Sequence, residues 1–235
     1  MKETKLMTTP SSASDTSLCL LHIGKTGGTF LKSILRHNST KLPESLKILN
    51  HSDTLVSTRK ELGPKRQLAF IFREPAARFR SGFMSRLRQG RPVYESLWTN
   101  EEAIAFNWFA TPNSLAEALG SEDDRLRSAA LFAMRHIRHI KLSYKYFLGG
   151  VDRLQKEGDN LRIMIDLPAL NERLPEIMTA LGVPDFEMPP RPESHKTNSG
   201  PVDDSLSEAG LAALKQYWAT EFEIYEYCKN NQRIL

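Results

Sequence analysis

Short apolar runs alternate along the chain with longer segments whose apolar residues recur every three or four positions. Residues 18–23 form a continuous apolar run that ends at Gly24, a pattern typical of a strand buried on both faces of a parallel sheet. Residues 46–50, 67–72 and 161–165 predict three further strands. Because helical periodicity separates these strands, the sequence predicts an α/β, three-layer fold with a central, mostly parallel sheet flanked by helices.

The helical segments carry recognisable start and stop signals. Ser52 and Asp53 are residues that cap helix N-termini, and Pro75 lies where a first helical turn tolerates proline. Residues 90–125, rich in aromatic side chains, predict an insertion over the sheet, and the prolines of residues 184–201 predict a long surface loop. Helices are predicted over residues 26–37, 52–62, 75–88, 127–155, 170–181 and 205–230.

The composition indicates an ordinary globular protein. The chain has 235 residues, of which 40% are hydrophobic, and this suits a single domain over residues 18–235 after a flexible tail of residues 1–17. Cys19 and Cys228 are too few for a disulfide framework or a cysteine metal site, and they suit a reducing compartment. No signal peptide or membrane-spanning run is apparent, so we expect a soluble, cytoplasmic protein.

Positive charge is concentrated in one part of the chain. The net charge is +4, but residues 59–91 contain ten Lys and Arg against two Glu, a local balance of 10 − 2 = +8. Such a block attracts polyanions, although a solvated helix face has the same composition. A non-catalytic polyanion-binding protein therefore stays open as an alternative. Regular interleaving of basic and aromatic residues is missing, so we do not expect a nucleic acid partner.

The segment from His22 to Phe30 reads as a strand, a glycine-rich turn and a helix. In that geometry backbone N–H groups and the helix dipole converge on one point, and Lys25, Thr26 and Thr29 add a charge and two hydroxyls. The pattern predicts a phosphate site. It is not a Walker A loop, because that motif needs a glycine where this chain has Cys19.

A second anion site is predicted after the third strand. Arg73 ends that strand, and Ser81 lies two turns into the next helix. The carboxyl ends of parallel strands form one rim, so Arg73 can face the same crevice as Lys25. An Arg fork and a Ser hydroxyl both suit phosphate, although an Arg at a strand end is often a structural ion pair.

Together these two segments resemble the nucleotide-binding motifs of sulfotransferases that use 3′-phosphoadenosine 5′-phosphosulfate (PAPS). Residues 24–29 (GKTGGT) look like the 5′-phosphosulfate loop of that family, and Arg73 with Ser81 looks like its 3′-phosphate pair. The order of later elements is similar to the branch that includes uronyl and heparan sulfate 2-O-sulfotransferases. One departure is Gly24, where the family usually has proline.

The resemblance implies a P-loop-like enzyme that moves a sulfuryl group from PAPS to a hydroxyl or amine and releases 3′-phosphoadenosine 5′-phosphate (PAP), without a metal. It implies that Lys25 stabilises the departing phosphate and that Lys196 closes over the nucleotide. The acceptor is a small molecule or a glycan, and its identity and the oligomeric state stay open. The implied donor-binding residues are Lys25, Thr26, Gly27, Gly28, Thr29, Phe30, Arg73, Ser81 and Lys196.

A base must take the proton of the acceptor, and His51 is the predicted one. It follows the second strand on the same rim, where relatives carry a base histidine, and imidazole titrates near neutrality. Glu74 is an alternative base, whereas His22 is expected to pack in the core. His136 and His139 share a predicted helix face but lack a third metal ligand.

Two further interpretations stay open. Aromatic side chains of residues 94–109 could line an acceptor pocket, although such stripes more often belong to a core. The phosphate loop would also suit a nucleotide-dependent phosphotransferase, which needs a carboxylate for Mg²⁺ at a strand end. Asp166 ends the fourth strand and could supply it.

Overall fold

A computed structural model describes residues 17–92, 94–190 and 202–235. The predicted tail, up to residue 16, and residues 191–201 of the predicted loop, including Lys196, lie outside the described residues. Residues 184–190 contain no helix or strand, as the prolines predict. No helix within the described ranges combines the length and the apolar character that crossing a membrane requires.

The predicted α/β fold is confirmed. The sheet has five strands in the order β2-β1-β3-β4-β5, and its first four strands are parallel. The short last strand runs antiparallel to β4, and its apolar content is too small to predict it from the sequence. The strands are β1 (Leu18–Leu20), β2 (Leu46–Ile48), β3 (Gln67–Phe72), β4 (Leu161–Asp166) and β5 (Arg233–Ile234).

Helices cover both faces of the sheet, and their bounds refine the predicted ones. The predicted helix over residues 127–155 is interrupted at Ile137, at Leu142–Ser143 and at the Gly149–Gly150 pair. The predicted C-terminal helix breaks at Trp218. The cap of the second helix is Thr54 rather than Ser52 or Asp53. The helices are α1 (Gly28–His37), α2 (Leu55–Leu62), α3 (Pro75–Leu87), α4 (Asn100–Trp108), α5 (Pro112–Ala118), α6 (Asp124–His136), α7 (Arg138–Lys141), α8 (Tyr144–Leu148), α9 (Val151–Glu157), α10 (Leu174–Ala180), α11 (Glu208–Tyr217) and α12 (Ala219–Asn230).

The side chains of β3 show how the layers are held together. Leu68, Phe70 and Phe72 join the core between the sheet and α8, α9 and α12, whereas Ala69 and Ile71 face the core under α1 and α10. This alternation buries both faces of the strand, which is why its sequence is almost entirely apolar.

A third core lies beside the sheet rather than over it. Residues 90–125 do not cover the sheet as the sequence suggested, because α4 and α5 pack with α3, α6 and α11 in an apolar cluster of their own. Phe83 and Phe106 meet edge to face at its centre, with ring centroids 5.3 Å apart. The cluster therefore fixes the far side of α3, the helix that follows β3.

The strand order creates a crevice. The chain passes from β1 outward to β2 and then returns to β3 on the other side of β1, so the connections after β1 and β3 leave the sheet in opposite directions. In open α/β sheets, ligands bind outside the carboxyl ends of strands at such a switch point. Lys25 and Arg73 follow the two strands that flank it.

Candidate functional site

The loop after β1 is a tight turn that leads directly into α1. Leu21 continues the pairing with β3, since its N–H donates to the carbonyl of Ala69 at 2.8 Å. Lys25 and Gly27 then both have positive φ, 69° and 86°, and α1 begins at Gly28, later than the predicted Thr26. No side chain in the described part of the protein caps the first turn of α1. Its N–H groups, including those of Thr29 and Phe30, therefore stay available to an anion.

Both glycines of the turn are needed for steric reasons. A Cβ on Gly27 would lie 2.5 Å from Leu167 Cδ1, and a Cβ on Gly28 would lie 2.4 Å from the imidazole of His22. Gly27 also has a backbone conformation that side chains rarely adopt. Any larger residue would move the start of α1 and so change the direction of its N–H groups.

Thr26 does not have the role that the sequence suggested. Its side chain is buried, and its hydroxyl donates to the carbonyl of Ile23 at 2.9 Å. The hydroxyl proton is therefore used to close the turn and is not a donor to an external anion, which corrects the prediction of Thr26 as a hydroxyl ligand. Thr29 is half-buried on the first turn of α1.

Lys25 is a partly buried cation that makes no ion pair with a described carboxylate. Burial and the neighbouring charges of Arg88 and Arg73 lower its pKa to about 8. Burial and nearby positive charge both make the charged ammonium of Lys25 less stable. An anion beside Lys25 would offset this loss of stability.

Arg73 lies beside this loop, as the strand order predicts. One of its guanidinium nitrogens, Nη1, is 3.4 Å from the carbonyl oxygen of Lys25, at the limit of a hydrogen bond. Burial, followed by the charge of Arg80, lowers the pKa of Arg73, and no described carboxylate forms an ion pair with it. Lys25 and Arg73, which follow different strands, thus lie side by side at the crevice.

The backbone of Arg73 is fixed by a buried tyrosine. Tyr144 donates its hydroxyl proton to the Arg73 carbonyl at 2.6 Å and accepts the Arg73 N–H at 2.8 Å. The ring itself is fully buried, and burial raises the pKa of its hydroxyl. This contact links residues 71 positions apart, and no local sequence signal indicates it.

Arg78, one of the basic residues in the 59–91 segment, contacts the backbone of the Lys25 loop. Its buried guanidinium donates to the carbonyl of Gly24 at 3.0 Å and to that of Leu142, and it lies 4.8 Å above the Tyr144 ring. Glu221 is 3.8 Å away and also accepts the N–H groups of Tyr144 and Lys145. Arg78 therefore fixes the Lys25 loop and is not a ligand.

Ser81 is half-buried on α3 and makes no hydrogen bond to Lys25 or Arg73 within the described residues. The next residue, Gly82, packs closely against α7, since a Cβ there would lie 3.2 Å from the His139 carbonyl. The structure thus places Ser81 on the helix that leaves the crevice, without a direct link to Arg73. Its role as a phosphate ligand stays a prediction.

His51 lies on an exposed turn after β2, one strand from the Lys25 loop. Backbone and side-chain contacts hold this turn: Lys32 donates to the Leu49 carbonyl at 2.6 Å, and the Asn50 N–H donates to Asp53 at 2.6 Å. The imidazole of His51 stacks on that of His22, with ring centroids 3.7 Å apart and planes at 36°. His22 follows the end of β1 and is buried, as expected.

His139 is a further histidine near the site that the sequence analysis did not select. Burial lowers its pKa to about 3, followed by the charges of Lys25, Arg86 and His51. Its Nδ1 atom is buried without a hydrogen-bond partner in the described part of the chain. His136 belongs to a different helix, because α6 ends there and α7 starts at Arg138. No group of three His, Cys, Asp or Glu among the described residues could hold a metal.

The aromatic residues of the 94–109 segment do not form one pocket. Phe106 and Phe109 are buried in the third core, and Trp98 stacks on Phe106 at 4.9 Å between ring centroids. Trp108 is exposed, and Tyr94 lies against Gly90. Most of this stripe is therefore core, the alternative that the pattern left open.

Asp166 ends β4 beside the Phe72–Arg73 junction. Its Oδ2 accepts the hydroxyl of Tyr225 at 3.0 Å, whereas Oδ1 is buried and has no hydrogen-bond partner within the described ranges. Burial raises the pKa of Asp166, and the bond from Tyr225 opposes this shift. Among the described residues, one oxygen of this carboxylate is bonded to Tyr225 and the other is buried.

The basic block does not form one surface. Arg59 pairs with Glu157, Arg86 with Glu102 and Arg91 with Glu95, at three separate places. Arg78 is buried beneath the Lys25 loop, and Arg73 alone follows a strand into the crevice. The local excess of positive charge in the sequence is thus divided among structural contacts and the candidate site.

Comparisons with known proteins give no relative. No family model matches the chain, and no curated protein or solved structure matches it. The fold and site therefore define an α/β protein with a cationic crevice at the switch point of its sheet.

Proposed function

We propose that this protein is a sulfotransferase that transfers a sulfuryl group from PAPS to a hydroxyl or amine of an acceptor. The single observation that carries the proposal is the meeting of Lys25 and Arg73 at the crevice, without a carboxylate partner in the described residues. A donor with two separated phosphates supplies negative charge to both cations. The available N–H groups of α1 support binding of the 5′-phosphate end.

The proposed roles follow from the positions of the residues. Lys25 stabilises the charge that develops on the departing phosphate, and Arg73 binds the 3′-phosphate. The reaction forms a bond from the acceptor oxygen to sulfur and breaks the bond from sulfur to the bridging oxygen of PAPS. That oxygen leaves on PAP with the electron pair, and the acceptor proton passes to His51.

The experiment is a thermal unfolding measurement with PAP in the absence of metal. Ligand that binds only the folded state raises the melting temperature with concentration, and we expect such a shift with PAP but not with adenosine, which lacks both phosphates. The absence of any shift at millimolar PAP would remove the donor assignment. A shift with ATP that depends on Mg²⁺ would favour the phosphotransferase instead.

The two alternatives have less support from the geometry. A phosphotransferase needs a free carboxylate near the phosphates, but Asp166 accepts a hydrogen bond from Tyr225 and is partly buried. A polyanion-binding protein needs a continuous basic surface, but Arg59, Arg86 and Arg91 each pair with a glutamate. Steep salt dependence of heparin binding, with no response to PAP, would support the latter alternative.

His51 is testable separately from donor binding. Replacement by alanine is expected to lower PAPS turnover about 10²–10⁴-fold, the range for loss of a general base, while the melting shift with PAP is kept. An unchanged rate would transfer the role to another group. His139 and Glu74 are candidates, because His139 interacts electrostatically with Lys25 and Glu74 with Arg73.

A further inference from the structure

His22 is a buried titratable side chain that the proposed mechanism does not use. Only 5% of it is exposed, yet its imidazole touches the exposed imidazole of His51, with centroids 3.7 Å apart. The two residues come from loops after different strands, β1 and β2. Sequence separation alone gave no reason to pair them.

The ring of His22 is held in place on its other side. It packs on the start of α1, where a Cβ at Gly28 would lie 2.4 Å from Cδ2 and 2.6 Å from Nε2 of the imidazole. The adjoining cavity, lined also by Thr26 and Lys32, has a volume of about 10 Å³. This volume is about what one water needs and is smaller than an imidazole, so the His22 ring has little space to move into on this side.

Backbone contacts hold the turn that carries His51. Leu49 donates its N–H to the Leu20 carbonyl at 3.0 Å, and Lys32 donates to the Leu49 carbonyl, so the turn is anchored to β1 and α1. The side chain of His51 itself is exposed. Contact with the buried ring of His22 limits the motion of the His51 imidazole.

We propose that His22 is the positioning residue for His51: it holds the imidazole of the base and allows the pair to carry one positive charge. This inference rests on the proposed function. A protonated imidazole is attracted by the face of a neutral aromatic ring, whereas two protonated imidazoles in contact repel each other. The pair therefore accepts one proton, the one that the acceptor loses as its bond to sulfur forms.

Lysine, histidine and aspartate side chains surround the pair. Lys32 lines the cavity behind His22, and Lys25 lies three residues after His22 on the loop. His139 approaches from α7 and is neutral near pH 7, because burial lowers its pKa to about 3. Asp53, on the turn of His51, is the neighbouring acid, and its Oδ2 accepts the Asn50 N–H. Two lysines thus oppose a second charge on the histidines.

The test compares His22→Phe and His22→Leu with the parent protein. Phenylalanine keeps a ring for stacking but cannot titrate, whereas leucine removes the ring. With water as the acceptor and saturating PAPS, we expect His22→Leu to lower kcat about 10- to 100-fold, as for other residues that orient a functional group. We expect His22→Phe to keep more of the rate but to change the acid limb of the pH profile. The KM for PAPS and the PAP melting shift should not change.

His37→Phe is the matched control, because His37 is an exposed histidine at the end of α1. It should leave the rate and the pH profile as they are. A second measurement needs no turnover: NMR of the imidazole C–H signals follows the titration of His51 directly. Coupled histidines titrate in two steps, and we expect a single step for His51 in His22→Phe.

The outcomes separate the inference from the function on which it depends. If the parent protein gives no melting shift with PAP, the proposed function fails. If His51→Ala lowers turnover but both His22 variants keep the rate and the pH profile, His22 is only a packing residue and the inference is overturned. An identical His51 titration in the parent and in His22→Phe overturns it as well, whether or not His22→Leu folds.

Discussion

Two arginines of the basic block, Arg86 and Arg73, differ in how the protein compensates their charge. Arg86 on α3 is fully buried, and its guanidinium makes two hydrogen bonds of 2.7 Å to the carboxylate of Glu102. Arg73, at the start of the same segment, makes no ion pair with a described carboxylate and lies beside a second cation, Lys25. Both arginines belong to one basic stretch of sequence.

The presence or absence of a carboxylate partner separates an arginine that stabilises the fold from one that is available to bind a ligand. A buried ion is costly unless it is paired, and Glu102 provides the pairing inside the protein for Arg86. No carboxylate among the described residues pairs with Lys25, whose pKa falls to about 8 as a result of burial and of the charges of Arg88 and Arg73. Uncompensated charge in a crevice is typical of a functional site, where the ligand supplies the missing partner.

The largest expected effect is on turnover. Lys25→Ala removes the cation that we propose stabilises the departing phosphate. We therefore expect PAPS turnover to fall on the order of 10³-fold, as for loss of a main electrostatic group. The measurement is the initial rate of PAP formation at saturating PAPS. Lys60→Ala, which removes an exposed lysine of α2, is the control. Equal rates in both variants would contradict the role of Lys25.

Loss of the ion pair between Arg86 and Glu102 should lower the stability of the fold. Glu102→Gln leaves the charge of Arg86 buried and unmatched, which is expected to lower the free energy of unfolding by about 3–5 kcal/mol. Glu95→Gln is the control, because its pair with Arg91 is exposed and worth about 0–1 kcal/mol. Urea unfolding followed by circular dichroism measures both. Equal losses in the two variants would remove the contrast between the sites.

The pH dependence of unfolding sharpens the same comparison. Burial alone would raise the pKa of Glu102, but hydrogen bonds from Arg86, Arg138 and Thr99 lower it to about 2. Because the folded-state pKa is below the unfolded value of 4.5, this group stabilises the fold above pH 4.5 and loses that contribution as the pH falls toward 2. Glu102→Gln should therefore lose less stability on acidification than the parent protein.

Replacement of Arg73, which has no carboxylate partner among the described residues, should weaken binding of the donor nucleotide. Arg73→Ala removes a charged hydrogen-bond donor to phosphate, and we expect PAP affinity to fall about 10- to 100-fold, corresponding to roughly 1.5–3 kcal/mol. Arg91→Ala removes the same charge from an exposed position and should have little effect. Calorimetric titration with PAP gives both values. Unchanged affinity in Arg73→Ala would place the 3′-phosphate elsewhere.

The smallest effect concerns the pH dependence of binding. The pKa of Lys25 is about 8, so PAP affinity should be constant below that pH and fall by up to tenfold for each pH unit above it. Lys25→Arg keeps its charge at these pH values and should remove the decline up to about pH 10. Persistence of the decline in Lys25→Arg would assign it to a different group.

Sequence patterns predicted the elements that touch the site with good accuracy. β3 has the predicted bounds, and α3 begins at the predicted Pro75, because a fully apolar strand and an N-terminal proline are strong local signals. Local signals failed where tertiary contacts decide the outcome. The break at Trp218 divides the predicted C-terminal helix, where the indole packs edge to face on Phe79.

The glycine-rich turn, its lysine and the arginine at the strand end were determined by the sequence itself, because each depends on a few neighbouring residues. Only the tertiary structure decided that Thr26 turns its hydroxyl inward, that Tyr144 fixes Arg73 and that His22 stacks on His51. These contacts join residues far apart in the chain. Their geometry depends on the order of strands in the sheet. The local hydrophobic pattern of the sequence does not determine that order.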